Sequence, residues 1–184
     1  ATLPFMIEVV GPVPLAVTPP APPRGTGVAG LVGTVRYAWD LWRFTSAVDR
    51  AAGLDKDRYD SRIYIVARPS RTEERKMIEG ASQDGGRVGV VACDIDPHTV
   101  DFTLFVATHE LFHTLGASDK YDAARLPIVP DGLAEPSRSP LYPQERAEIM
   151  AGTRALSERR AALPRSLDEL VVGPLTAREI GWAR

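Results

Sequence analysis

Residues 109–119 read His-Glu-Leu-Phe-His-Thr-Leu-Gly-Ala-Ser-Asp, and the interpretation of the whole chain starts from this stretch. On an α-helix, residues four positions apart lie on one face, so His109 and His113 can direct ring nitrogens at one metal ion. Glu110 is one residue step from His109 and borders the same ion without being forced to bind it. The spacing therefore predicts a zinc site at which Glu110 is the general base.

The third ligand must come from beyond the two histidines, because a catalytic zinc usually has three protein ligands and one water. Gly116 predicts that the helix ends there, since glycine accepts the left-handed backbone of a tight C-terminal turn. Asp119 follows three residues later. The only other histidine, His98, precedes the helix. We therefore expect His109, His113 and the oxygen ligand Asp119 to hold the metal.

The pattern H-E-x-x-H-x-x-G-x-x-D resembles the metzincin clan of zinc endopeptidases, in the snapalysin-like form with aspartate as third ligand. That clan has a tight methionine-containing turn below the zinc, and residues 147–152, Ala-Glu-Ile-Met-Ala-Gly, are similar to it. Some members have a tyrosine two residues after the methionine, whereas this chain has Gly152. The resemblance implies a secreted hydrolase that cleaves peptide or protein substrates, with Met150 as a packing floor below the ligands.

Two other functions stay open at this point. The first is a gluzincin-type peptidase whose third ligand is a downstream glutamate, Glu135 or Glu148. The second is a catalytically silent binding module that keeps the metzincin fold. A calcium site formed by Asp119, Asp122, Asp131 and Glu135 is a further alternative to four simply solvated acids.

Composition limits the class of protein and its partners. The chain of 184 residues has 44% hydrophobic and 25% charged residues, which are ordinary globular values. A net charge of −2 gives no reason to expect nucleic acid or an anionic membrane as partner. Cys93 is the only cysteine, so no internal disulfide is possible. We expect a monomer, and a start at Ala1 without a leader predicts a trimmed or processed product.

Apolar periodicity predicts a mixture of helices and strands. A three- and four-residue spacing predicts a long amphipathic helix that buries Trp39 and Trp42, and Asp101 predicts the start of the active-site helix. Capping-box spacings predict a short polar helix from Ser70 toward Gly80. The predicted strands cover residues 4–10, 62–67 and 88–93, and the predicted helices cover 27–50, 102–115 and two short segments that start near Ser166 and Thr176.

The resulting expectation is an α+β, metzincin-like architecture. Residues 1–116 would form an N-terminal subdomain with a small mixed β-sheet, a long backing helix and the active-site helix. Residues 117–184 would form an irregular C-terminal subdomain with the third ligand, the methionine turn and terminal helices. The strand at 88–93 is predicted either to be the sheet edge that lines the cleft or to be interior. The proline-rich segment 121–148 is expected to shape a pocket for a substrate side chain.

Overall fold

The chain contains three α-helices separated by runs of short strands, which confirms the predicted α+β class within the described residues. The protein is described by a computed structural model, which covers residues 6–14, 16–21, 27–69, 78–82, 86–95 and 97–183. It contains two compact units, residues 1–60 and 61–184. The predicted division after residue 116 falls within the second unit and stays a prediction.

The first unit contains one long helix, α1 (Gly27–Ala52), where the sequence predicts a helix. The predicted burial of its tryptophans is wrong: Trp39 and Trp42 are 59% and 56% exposed, and their rings lie 5.1 Å apart. The helix buries Phe44 instead. The strand predicted at 4–10 is also wrong over 6–10, which is irregular and exposed, and residues 4 and 5 lie outside the described part. Four exposed apolar residues and Glu8, without a partner strand in the described part of the chain, cannot satisfy a ladder of hydrogen bonds.

The second unit is built on a three-stranded mixed sheet of β1 (Arg62–Pro69), β2 (Ile78–Ser82) and β3 (Val88–Ile95). The strand order is β1-β3-β2, with β1 parallel and β2 antiparallel to β3. The strand at 88–93 is therefore interior, and β2 is an edge. The helix predicted from Ser70 is wrong at its end, because Gly80 pairs with Val91 in the sheet. Residues 70–77 lie outside the described part.

The helix that carries His109 and His113, α2 (Val100–Thr114), packs across the sheet and starts two residues earlier than predicted. Its burial is one-sided, since Leu104 is 45% exposed. Glycines in the sheet let the helix approach closely, because a Cβ at Gly80 or Gly89 would meet side chains of α2 or β1. On the side away from the sheet, a buried apolar cluster joins α2 to the methionine turn; it consists of Phe105, Phe112, Ala117, Ile149 and Met150.

The chain after α2 is irregular up to residue 146, as predicted, and then forms short paired segments. These are β4 (Ala147–Glu148), the hairpin of β5 (Arg154–Ser157) and β6 (Arg160–Ala162), β7 (Leu170–Val171) and α3 (Pro174–Glu179). A helix near Thr176 is confirmed. The helix predicted from Ser166 is wrong: a single 3-10 turn leads into β7, which pairs with β4. In the described part of the chain, no helix has the length and apolar character needed to cross a bilayer.

Candidate metal centre

Helix α2 places both histidine rings on one face, one turn apart. The ring centroids of His109 and His113 lie 4.7 Å apart, and the two Nε2 atoms are 3.1 Å apart. The side chains are 13% and 10% exposed. The four-residue spacing is sufficient to explain this convergence, because it repeats the direction of the side chain along the helix axis.

A tight turn at Gly116 brings the third residue back to the histidines. Gly116 has φ of +100°, and its N–H donates to the carbonyl of His113 (3.0 Å) while the N–H of Ala117 donates to that of Phe112 (2.9 Å). This pair of bonds is a Schellman motif, and the apolar contact between Ala117 and Phe112 that accompanies such motifs is present. The chain then reverses, and Asp119 faces the two rings.

The three donor atoms form a nearly equilateral triangle. Asp119 Oδ1 lies 3.2 Å from His109 Nε2 and 3.3 Å from His113 Nε2, and the third side is the 3.1 Å between the nitrogens. Around a tetrahedral zinc with bonds of about 2.0–2.1 Å, two ligand atoms are about 3.3–3.4 Å apart. The triangle has this size within about 0.3 Å, so the donor set fits zinc and leaves the fourth corner for water.

Backbone carbonyls set the tautomers of both imidazoles. His109 Nδ1 is 3.0 Å from the carbonyl oxygen of Ile149, and His113 Nδ1 is 2.8 Å from that of Ala117. A carbonyl oxygen can only accept, so each Nδ1 carries the hydrogen. The Nε2 lone pairs therefore point toward the centre of the triangle, as in protein zinc sites with an ordered outer shell.

Two lone pairs and a carboxylate oxygen within 3.3 Å of one another repel unless a cation or a proton lies among them. Burial lowers the pKa of His113, but its hydrogen bonds to Asp119 and to the Ala117 carbonyl outweigh this and raise the pKa to about 9. Burial acts to raise the pKa of Asp119, and hydrogen bonds from His109, His113 and Tyr121 hold it well below its usual range. Without a metal, the site therefore holds a proton.

Asp119 is fixed from two directions. The Tyr121 hydroxyl donates to Asp119 Oδ2 at 2.8 Å. The flanking residues are fixed by Glu179 at the end of α3, which accepts from the hydroxyl of Ser118 (2.9 Å) and from Lys120 Nζ (2.7 Å). Lys120 is only 3% exposed, so this ion pair is shielded from solvent and costs more to break than a surface pair.

The methionine turn lies below the ligands and is stabilised by a buried carboxylate. Met150 is fully buried, and the N–H of Lys120 donates to its carbonyl at 3.0 Å. Glu148 is also fully buried; Oε2 accepts from the N–H of Met150 and Ala151, and Oε1 accepts from the N–H of Gly173 and the hydroxyl of Thr176. The turn thereby fixes the Ile149 carbonyl that orients His109.

Glu110 lies between α2 and the edge strand. It is 7% exposed, and the Ser82 hydroxyl of β2 donates to its Oε2. A Cβ at Gly80 would clash with its carboxylate. Glu110 also interacts electrostatically with His113, where its negative charge contributes to the raised pKa. The carboxylate is therefore not part of the group of three donors, and its negative charge acts on His113.

A cavity of about 280 Å³ adjoins His109. Its walls are mainly apolar, with Tyr121 and Arg125 on one side; the other lining residues are Phe105, Val106, Ala151, Gly152, Thr153 and Leu163. The Thr153 hydroxyl is buried and has no hydrogen-bond partner within the described residues. The cavity therefore offers an apolar site with one open polar position beside the metal ligands.

Other acidic residues do not join the group. Within the described residues, the only cluster of three or more metal-binding side chains is His109, His113 and Asp119. The carboxylates proposed for calcium are not brought together: Asp122 accepts from the N–H of Ala124 and Leu126 in its own loop. Glu135 pairs with Arg138, and both oxygens of Glu148 are used in the turn, so neither glutamate takes the place of Asp119.

Sequence reasoning missed Tyr121, Ser82 and Glu179. The only signal for Tyr121 was its position two residues after a predicted ligand, where an outer-shell hydrogen bond is common. Ser82 and Glu179 are far from the motif in sequence, and their contacts with Glu110 and Lys120 arise only from the fold.

In comparisons with known proteins, no family model, no curated protein and no solved structure matches this chain. The geometry of the site is therefore what supports a function.

Proposed function

We propose that the protein is a zinc-dependent endopeptidase of the metzincin type. The observation that carries the proposal is the triangle of His109 Nε2, His113 Nε2 and Asp119 Oδ1, with sides of 3.1 to 3.3 Å. Each ring has its Nδ1 hydrogen bonded to a backbone carbonyl, which leaves Nε2 as the metal-binding atom once the proton held at the site is displaced. The histidine–aspartate donor set, with one open corner, matches a hydrolytic zinc better than calcium or magnesium, which prefer oxygen ligands.

Zinc, when bound, supplies Lewis-acid activation of a water molecule and of the scissile carbonyl. Glu110 would act as the general base on the attacking water and then as the general acid toward the leaving amine. Ser82 donates a hydrogen bond to the carboxylate of Glu110 and fixes its orientation. The Ile149 and Ala117 carbonyls keep one hydrogen of each ring on Nδ1, so each Nε2 can bind the metal once the proton at His113 is displaced.

The neighbouring surfaces suit a peptide substrate. Strand β2 is at the edge of the sheet and carries Ser82, the partner of Glu110. An extended peptide can add to such an edge through main-chain hydrogen bonds. The cavity beside His109 then receives one apolar side chain of the substrate. In this arrangement the methionine turn is the floor of the site and α2 is the active-site helix.

The test combines metal analysis with digestion of a peptide library, in the presence and absence of chelator. We expect stoichiometric zinc, cleavage at internal bonds and loss of cleavage with chelator. Glu110→Gln should keep zinc and lose turnover by about 10²–10⁴-fold, because only the base is removed. Glu158→Gln, on the exposed β5–β6 turn, is the matched control and should keep full activity.

Unchanged turnover in Glu110→Gln would contradict the catalytic role. Stoichiometric zinc without cleavage of any library peptide would instead favour the catalytically silent binding module. Asp119→Ala with full zinc content and activity would favour a gluzincin-type ligand set.

A further inference from the structure

We propose that Tyr121 is a positioning residue of the metal centre, whose hydroxyl holds Asp119 so that only Oδ1 faces the metal. The inference rests on the zinc site of the proposed function and extends it to an outer-shell residue outside the sequence motif. It also assigns a purpose to the loop that follows the third ligand.

The two oxygens of Asp119 have separate partners. Oδ1 lies 3.2 and 3.3 Å from the two imidazole nitrogens, whereas Oδ2 accepts from Tyr121 Oη at 2.8 Å. A carboxylate on a rotatable side chain can present one or both oxygens to a metal. The hydroxyl fixes that rotation, because turning the carboxylate toward the metal with both oxygens would break a hydrogen bond to a charged acceptor, which is stronger than a bond between neutral groups.

The loop after Asp119 holds the tyrosine in this place. Tyr121 forms a backbone bridge with Pro127, and Asp122 closes the loop by accepting the N–H of Leu126 at 2.9 Å. Arg125 has a left-handed backbone with φ of 61°, and its guanidinium carbon lies 4.4 Å from the centre of the Tyr121 ring. A left-handed conformation is unfavourable for arginine and persists only where its surroundings impose it. Arg125 and the loop together restrict the ring to one orientation.

Apart from the two histidines at Oδ1, the other contacts around Asp119 act on its neighbours and not on its carboxylate. Glu179 binds the neighbours Ser118 and Lys120, so it fixes the backbone on both sides. Among the contacts of the described residues, the Tyr121 hydroxyl is the one that reaches Oδ2. Glu179 therefore fixes the backbone and Tyr121 fixes the carboxylate, so a variant of Tyr121 tests the contact with the carboxylate alone.

The test compares Tyr121→Phe with the parent protein and with Tyr142→Phe, a tyrosine outside the site. Zinc affinity is measured by competition with a chelator, and cobalt(II) is substituted to read the ligand geometry from its visible absorption. We expect Tyr121→Phe to weaken zinc binding by about 10–100-fold, as is usual for outer-shell partners. The cobalt band should lose intensity as the freed carboxylate adds its second oxygen and raises the coordination number. Tyr142→Phe should match the parent in both measurements.

A double-mutant cycle separates this role from a general effect on the loop. In an Asp119→Ala background, adding Tyr121→Phe should leave the residual zinc affinity unchanged, because the hydrogen bond is already absent. Equal losses in both backgrounds, or an affinity and cobalt spectrum in Tyr121→Phe that match the parent, would overturn the inference. A parent protein that binds no zinc would instead refute the proposed function, so the two failures are distinct.

Discussion

Proton competition at His113 should make zinc binding strongly dependent on pH. The pKa of His113 in the metal-free protein is about 9, so at neutral pH most molecules carry a proton where the metal would bind. Displacing this proton two pH units below the pKa costs on the order of 3 kcal/mol. The apparent zinc affinity should therefore rise about tenfold for each pH unit and become constant above a pH of about 9.

The measurement is a chelator competition series across this range, corrected for the protonation of the chelator itself. Calorimetry in buffers of different ionisation enthalpy gives the number of protons released, which we expect to be close to one below the pKa of His113. In Asp119→Asn the carboxylate that raises this pKa through its hydrogen bond and its charge is lost, so the rise in zinc affinity should end at a lower pH than in the parent. A zinc affinity in the parent that is constant between neutral pH and pH 9 would refute the reasoning.

Three further predictions concern groups around the site. Without metal, the free energy of unfolding should fall by on the order of 3 kcal/mol between about pH 6.5 and 9, because the folded pKa of His113 lies above the unfolded one and its proton stabilises only the folded state. Urea unfolding at the two ends of this pH range measures the difference, and equal midpoints would contradict the prediction. Gly80→Ala should reduce turnover far more than zinc content, since the added Cβ displaces the carboxylate of Glu110. Steady-state kinetics and metal analysis test this, and a turnover equal to that of the parent would contradict the close contact. Glu148→Ala should destabilise the protein by about 3 kcal/mol or more, because four buried donors lose their acceptor. A decrease in Tm no larger than that of the exposed variant Glu158→Ala would contradict the prediction.

The parts of the site that sequence reasoning anticipated are local in the chain. His109 and His113 share a helix face by their spacing, and the left-handed Gly116 returns the chain to Asp119 within one turn. Such features depend on backbone geometry over a few residues. The outer-shell groups require tertiary contacts: the Ile149 carbonyl reaches His109 across 40 residues of sequence.

The predictions that are wrong also concern features that tertiary contacts determine. The capping box at Ser70 predicts a helix by local propensity, yet Gly80 pairs with β3 because the sheet provides hydrogen bonds along the whole strand. Periodicity predicted α1 correctly but not which of its side chains are buried. A regular apolar stripe marks one face of a helix, but it does not show whether another element packs on that face. Trp39 and Trp42 lie on that stripe and are more than half exposed.

The salt bridge between Lys120 and Glu179 bears on whether a short fragment of the chain could reproduce the candidate metal centre. A synthetic peptide that covers residues 99–121 would contain all three side chains of the candidate metal centre. It would lack the acceptor on α3 and the carbonyl of Ile149 that keep those side chains converged. Its zinc affinity would reflect two flexible imidazoles and a carboxylate that must be ordered anew on each encounter. The candidate metal centre therefore depends on the folded second unit, and the helix and turn alone would not reproduce it.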